Sequence, residues 1–259
     1  MSSTQGQDRR NDRMVLGVRF FSGTTEEAVN RMMQGGLLLV PAAPALRTIV
    51  KDAEYREALL AADRVIPDSA YMVLIWNTLE HDRMPRISGL AYLRELLKRP
   101  EVQEPGSTLW IMAGQKSSEK NRGWLREQGI DVPDSHIYLA PMYGSGAIED
   151  AALLEMVERL RPAHILVTVG GGTQERLGLY LRRSLSYKPG IHCIGAAIAF
   201  LSGDQVGIPV WADKFYLGWL FRILDEPRRY GPRYWDAVGL FSLIFRYRSR
   251  LPPMDSPVS

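Results

Sequence analysis

The chain has 259 residues and a formal net charge of +3, with 46% apolar and 24% charged residues. That length suits one large domain, or one domain with an appendage, and the mild charge gives no support to nucleic-acid binding. Cys193 is the single cysteine, which excludes an intramolecular disulfide and fits a reducing compartment, and no run approaches the roughly 20 apolar residues of a membrane-spanning helix.

The polar start, residues 1–13, lacks the apolar stretch of a signal peptide and reads as a disordered tail. Met14 to Phe21 reads as a first strand. Thr24-Thr25-Glu26-Glu27 has the form of a capping box, with Thr24 as N-cap and Glu27 reaching back. The helix behind it, through Ala28, Val29 and Met32, should end at Gly35-Gly36. Leu37 to Val40 is a second strand, Pro41 to Pro44 its turn, and helical patterns cover Leu46 to Asp52 and Tyr55 to Ala61. Arg64-Val65-Ile66 is a third strand, closed by Pro67-Asp68-Ser69 before an apolar helix from Ala70 to Leu79. Ile87-Ser88-Gly89 leads into a helix from Ala91 to Lys98, and Pro100 to Gly106 reads as a loop. Thr108 to Ala113 is a strand whose turn, Gly114-Gln115-Lys116-Ser117, opens a helix ending near Gly129. Pro141 to Gly146 is a loop, Ile148 to Arg161 a helix, and Ile191 to Gly195 the last strand of this series, with Ala196 to Ala199 packed behind it. Strands and helices alternate at short spacing, and several strands are apolar throughout. That pattern predicts an α/β fold, Rossmann-like, with a parallel sheet covered by helices on both faces.

The chain is organised around His164 to Glu175. An apolar run ends in Gly170-Gly171-Gly172, and a helical pattern follows through Leu177, Tyr180 and Leu181. Glycines allow close backbone approach, and the N–H groups of a first helical turn favour an anion. Gln174 and Glu175 stand where side chains reach into such a site. The same pattern also fits a plain strand-to-helix turn, since it is neither G-x-G-x-x-G nor a P-loop. Asp68 falls at the end of a strand and the start of a helix, the edge where parallel α/β sheets bind ligands, and it equally fits a helix cap. Lys116 stands at a second such turn, where a solvated lysine is the commoner case. His81, His136, His164 and His192 are scattered, with no metal-ligand spacing and no G-x-S-x-G elbow. His192 reads as a core histidine.

From Trp211 the character changes. Phe215, Leu217, Trp219, Leu220, Phe221, Ile223 and Leu224 interleave with Lys214 and Arg222, followed by Arg228, Arg229, Tyr230, Arg233, Tyr234 and Trp235. An apolar helix, Ala237 to Phe245, ends in Arg246-Tyr247-Arg248-Ser249-Arg250. Aromatics beside basic residues suit a membrane interface, and equally a helical lid with a solvated face. The expected organisation is therefore a tail at residues 1–13, a Rossmann-like core at 14–210, and a C-terminal helical appendage at 211–259 whose removal should leave the core folded.

Four strings carry a resemblance: Val65-Ile66-Pro67-Asp68, Gly170-Gly171-Gly172-Thr173-Gln174-Glu175, Phe200-Leu201-Ser202-Gly203, and Trp219-Leu220-Phe221-Arg222-Ile223-Leu224-Asp225-Glu226-Pro227-Arg228-Arg229. In order and spacing the chain resembles the WecG/TagA/CpsF glycosyltransferases from about Val15 to Phe245. The resemblance implies an inverting transferase that needs neither metal nor cofactor and moves a sugar from a UDP-sugar donor to a polyprenyl-diphosphate-linked sugar acceptor. It further implies a peripheral position on the cytoplasmic face of the cell membrane, with the C-terminal appendage touching the membrane surface. Homo-oligomerisation is left open. Asp68 takes the place of the family's proposed general base, with Ser69 where the family has glycine. Gly170, Gly171, Gly172, Gln174 and Glu175 would line the substrate site, and Arg222, Arg228 and Arg229 would face diphosphate groups.

The departures cluster. Val40-Pro41-Ala42-Ala43 replaces T-P-N-A, Gly89-Leu90-Ala91 replaces G-S/T-D, and Ala199 replaces the aspartate of G-G-A-F-D-F-L. Ala42, Ala91 and Ala199 stand where the family has polar residues, which fits loss of activity or, with Asp68, Gln174 and the arginines kept, altered sugar specificity; the latter favours a plain hexose such as glucose in exopolysaccharide assembly, with an N-acetylmannosamine-type donor as the alternative. Two other classes of function stay in view. One is a non-catalytic family member that binds lipid-linked sugar or scaffolds a synthase. The other is a Rossmann oxidoreductase, disfavoured by the missing G-x-G-x-x-G.

Overall fold

A computed structural model describes residues 12–204 and 238–255. Its centre is one eight-stranded sheet in the order β1-β2-β4-β3-β8-β7-β5-β6. The strands are β1 (Arg13–Val15), β2 (Val18–Phe20), β3 (Gly36–Leu39), β4 (Arg64–Val65), β5 (Thr108–Met112), β6 (Ile137–Leu139), β7 (His164–Val167) and β8 (Gly190–Cys193). Every pairing is parallel except β1 with β2 at one edge.

The sheet is buried on both faces, as the apolar strands predict, and the two-residue period sorts their side chains. Leu37, Leu39, Leu109, Ile111, Ile165 and Val167 enter one core, while Leu38, Val40, Trp110, Met112 and Leu166 enter the other. Helices α1 (Thr25–Met32), α5 (Gly89–Leu96) and α7 (Gln115–Glu127) cover the second face through Val29, Leu93 and Leu125. The first face is covered by α3 (Ala53–Ala61), α4 (Ala70–Glu80), α8 (Ala151–Leu160) and α9 (Thr173–Ser184). Two single-turn helices, α2 (Ala43–Leu46) and α6 (Pro100–Gln103), fill connections. This is the expected Rossmann-like α/β architecture.

Three local expectations change. The first strand is a hairpin: Val15 and Val18 pair across a turn in which Leu16 (φ 51) and Gly17 (φ 76) are both left-handed. Leu16 is held in that conformation with its side chain buried in the core and its N–H bonded to Arg248 O. Pro100 to Gly106 contains α6, since Pro100 is preset for a first helical turn. A short edge strand, β6, precedes the loop at Pro141.

The described part of the C-terminal stretch packs on the core. A helix over residues 238–247 (α10) buries Leu240 and Ile244 completely in the first core. The chain beyond it is stitched to the β1–β2 hairpin, where Leu16 N–H donates to Arg248 O at 2.8 Å and Gly17 N–H to Ser249 O at 3.0 Å. Arg56 donates to Pro252 O at 2.7 Å, and Asp255 N–H to Val50 O at 2.7 Å. A Cβ on Gly17 would sit 2.5 Å from Leu251. Residues 238–255 are thus part of the core's packing. The expected boundary at 210/211 lies outside the described residues.

Candidate active site

The carboxyl ends of β4, β3, β8 and β7 lie side by side. The segments leaving them are Ile66-Pro67-Asp68, Val40-Pro41, Ile194-Gly195 and Thr168 to Gly172. Ligands of open α/β sheets bind outside these ends. The structure therefore brings Asp68 and the glycine turn to one edge, with β3 and β8 between them.

Asp68 is not the cap of α4. Ser69 is, its hydroxyl accepting from Met72 N–H at 3.2 Å. Asp68 Oδ1 instead accepts from Gly89 N–H at 3.0 Å, the first residue of α5, and lies 3.7 Å from an Arg86 guanidinium nitrogen. Arg86 Nε also donates to the Asp68 carbonyl at 2.7 Å. The carboxylate is held by a helix N-terminus and a cation, yet 29% of the side chain remains exposed. A fixed, accessible carboxylate meets the geometric demand on a general base. Gly89 is the bridge inward: a Cβ there would meet Val40 Cγ1 at 3.1 Å, so glycine lets α5 approach the end of β3.

The glycine turn is clamped from inside and open outside. Gly172 has φ 90, a conformation that favours glycine. Its N–H donates to Glu175 Oε2 at 2.6 Å, and its carbonyl accepts from Arg176 Nε at 3.2 Å. Among the described residues, Cβ atoms on Gly170 or Gly172 would meet nothing within 4 Å, and one on Gly171 would only graze Ala45 at 3.8 Å. A ligand thus meets bare backbone at the start of a twelve-residue helix.

The two side chains beside this turn behave differently from the expectation that both reach into the cleft. Glu175 turns inward, is wholly buried, and accepts from Gly172 N–H and, at 3.1 Å, from Gln174 Nε2. The reason is capping: a glutamate three residues into a helix reaches back to an otherwise unpaired N–H. Burial pushes its carboxyl up to about 7. Gln174 is also buried, with Nε2 3.5 Å from Val40 O. Its Oε1 has no partner among the described residues and points at Gly195 (φ 57), where a Cβ would be 3.5 Å away. A buried acceptor without a donor costs about 1–3 kcal/mol, a cost a ligand donor would remove.

Two arginines at this edge were not singled out from sequence. Arg86 holds Asp68. Arg176, nearly buried, joins Gly172 O to the carbonyls of Gly144 (2.9 Å) and Gly146 and faces Asp52 at 3.7 Å. It fastens the 141–150 loop to the glycine turn. Tyr138 and Tyr143 fasten the same loop's end through Asp150, at 2.8 and 2.5 Å.

The second turn carries less chemistry. Gly114 is extended there, and Gln115 bonds Glu119 rather than a cleft. Among the described residues no group of three or more His, Cys, Asp or Glu could hold a metal ion, and no helix is long and apolar enough to cross a membrane. His192, as expected, is a core residue; its Nδ1 meets Tyr92 OH at 2.8 Å and its Nε2 meets His164 Nδ1 at 3.2 Å. Arg222, Arg228 and Arg229 lie outside the described residues.

The class of protein is that of an open α/β sheet with a carboxylate and a bare glycine turn on its carboxyl edge, the edge at which such sheets bind ligands. Residues 13–253 match the model of the WecG/TagA/CpsF glycosyl transferase family, and the chain belongs to that family. Two relatives are each called N-acetylglucosaminyldiphosphoundecaprenol N-acetyl-beta-D-mannosaminyltransferase. The one from Bacillus subtilis (strain 168) is 22% identical over 182 residues, covering 70% of this chain and 68% of the relative. The one from Bacillus spizizenii is 22% identical over 211 residues, covering 78% and 79%.

Proposed function

We propose that this chain transfers a hexose from a UDP-sugar to a polyprenyl-diphosphate-linked sugar, with inversion and without a metal ion. The observation that carries the reading is the shared edge: the Asp68 carboxylate and the glycine turn flank the ends of β3 and β8 in a chain of this glycosyltransferase family. In the proposed step Asp68 takes the proton of an acceptor hydroxyl. The oxygen attacks the donor's anomeric carbon from the face opposite UDP, the bond from that carbon to the β-phosphate oxygen breaks, and UDP leaves with the electron pair. Backbone N–H groups at the turn and guanidinium groups stabilise the departing charge. Arg222, Arg228 and Arg229 are assigned to the acceptor diphosphate.

For the donor, the relatives' names support an N-acetylmannosamine-type sugar. Ala42, Ala91 and Ala199 support a sugar with fewer polar contacts, such as glucose. For location, α10 supports a peripheral place on a membrane surface, since Val238, Phe241 and Phe245 stay exposed while Leu240 and Ile244 are buried. The test is a panel of UDP-sugars with N-acetylglucosaminyl- and glucosyl-diphosphate-polyprenol, run with and without EDTA. Transfer that survives EDTA supports the reading. Transfer strictly dependent on Mg²⁺ or Mn²⁺ contradicts the metal-free step, and no transfer with any pair contradicts the enzyme reading.

A further inference from the structure

The Gly172 N–H is one of the donors that a helix start offers to an anion, yet here the chain fills it with its own carboxylate. Glu175 is wholly buried, with Oε2 2.6 Å from Gly172 N and Oε1 3.1 Å from Gln174 Nε2. When ionised it is an internal anion one peptide away from the open face of the glycine turn. A donor diphosphate on that open face adds negative charge beside it in a poorly screened interior. We propose that Glu175 is a positioning residue which takes up a proton when the donor diphosphate settles on the glycine turn, so that donor affinity is set by pH. The proposal rests on the donor-site reading above.

The groups around Glu175 fit this role. Tyr55 from α3 is wholly buried, its hydroxyl has no partner among the described residues, and burial first, with the nearby Glu175 carboxylate, holds it far above its usual range. Cys193 from β8 is likewise held protonated, by burial first, and donates to Gln174 O at 3.2 Å. Asp52, at the start of α3, faces Arg176. Arg176 is the one cation beside Glu175 among the described residues, and its guanidinium is already shared among Gly172 O, Gly144 O, Gly146 O and Asp52. Neither neutral neighbour accepts a proton near neutrality, so the change in charge falls on Glu175. Its carboxyl already stands at about 7 in the free protein, so a further rise on binding puts the coupling inside the physiological range.

The experiment is calorimetric titration of the full chain with UDP-glucose and UDP-N-acetylglucosamine from about pH 6 to 8, where a diphosphate diester does not titrate. Each titration is repeated in two buffers of different ionisation enthalpy to count protons. Affinity should rise roughly five- to tenfold from pH 8 to 6, with about half to four-fifths of a proton taken up near pH 8. Glu175→Gln keeps the shape and can still accept from Gly172 N–H, and it should bind with no pH slope and no linked uptake. Binding by the wild type that is flat with pH and proton-neutral overturns the proposal while leaving the donor reading intact. A slope retained in Glu175→Gln also overturns it, by assigning the proton elsewhere. No binding of either nucleotide sugar at any pH overturns the donor reading and this proposal with it. If the variant does not fold, the wild-type proton count decides alone.

Discussion

Ile244→Ala tests whether the C-terminal stretch is built into the core. Ile244 and Leu240 sit one turn apart on α10, both fully buried in the larger of the two cores. Truncating a fully buried isoleucine or leucine costs about 2–5 kcal/mol, from lost transfer energy plus the cavity left behind. A domain of this kind is stable by only about 5–15 kcal/mol, so either substitution removes a large share. The magnitude should fall toward the upper end, because the chain after the helix is fixed by the bonds from Leu16, Gly17 and Arg56 and cannot collapse freely into the cavity. Urea denaturation of Ile244→Ala and Leu240→Ala should show unfolding free energies lowered by at least about 2 kcal/mol, with Phe245→Ala, on the exposed face, within about 0.5 kcal/mol of wild type. A loss under about 1 kcal/mol for both buried positions would refute the packing argument and restore the picture of a removable appendage. Deleting residues 211–259 removes both anchors and should abolish the cooperative urea transition of the core, so the segment's role is tested by point substitution.

Arg228→Gln with Arg229→Gln should raise the KM for a lipid-diphosphate acceptor far more than the Kd for UDP-sugar. Equal effects on both would remove these arginines from the acceptor side. Membrane attachment should weaken as salt rises, since each basic residue near an anionic surface contributes only about 1 kcal/mol and is screened within roughly 8 Å; salt-insensitive flotation with liposomes contradicts this. Burial holds His192 well below the ordinary histidine value of 6.5 and His164 below it too. Their unfolded forms bind protons first, so their contribution is complete above 6.5 and is lost as pH falls below it. Glu175 has the opposite sign: its raised value favours the folded state at low pH and is lost as pH rises through about 7. In the Glu175→Gln background, urea midpoints should therefore fall on acidification below about pH 6.5, and a flat profile there refutes the histidine account.

What the sequence reveals and conceals follows from range. β3, β5 and β7 are legible because burial on both faces leaves unbroken apolar runs. The capping box at Thr24 is legible because it is local, and both its bonds form, at 2.7 and 3.1 Å. The Leu16-Gly17 turn is hidden because Val-Leu-Gly-Val carries no Asn-Gly signal, and β6 because a half-exposed three-residue edge strand has no period to detect. Asp68 and the glycine turn could be picked out from sequence, since each stands at a strand's end. Their supports could not: Arg86 acts across 18 residues and Arg176 across about 30, where no local periodicity reaches. Glu175 is the instructive case. The reach-back geometry read at Glu27 also holds at Glu175, and reading it there would have turned the side chain inward from the start.

The central claim is that Asp68 does chemistry at the edge where the donor binds. The direct measurement is turnover of Asp68→Asn beside its UDP-sugar affinity and its urea midpoint. Asparagine keeps the size and still accepts from Gly89 N–H, but it takes no proton at neutral pH. Transfer to the lipid-diphosphate acceptor should fall by roughly a hundred- to ten-thousand-fold, with donor affinity and stability little changed. Near-normal turnover by Asp68→Asn would reduce Asp68 to a partner of the α5 N-terminus and contradict the account.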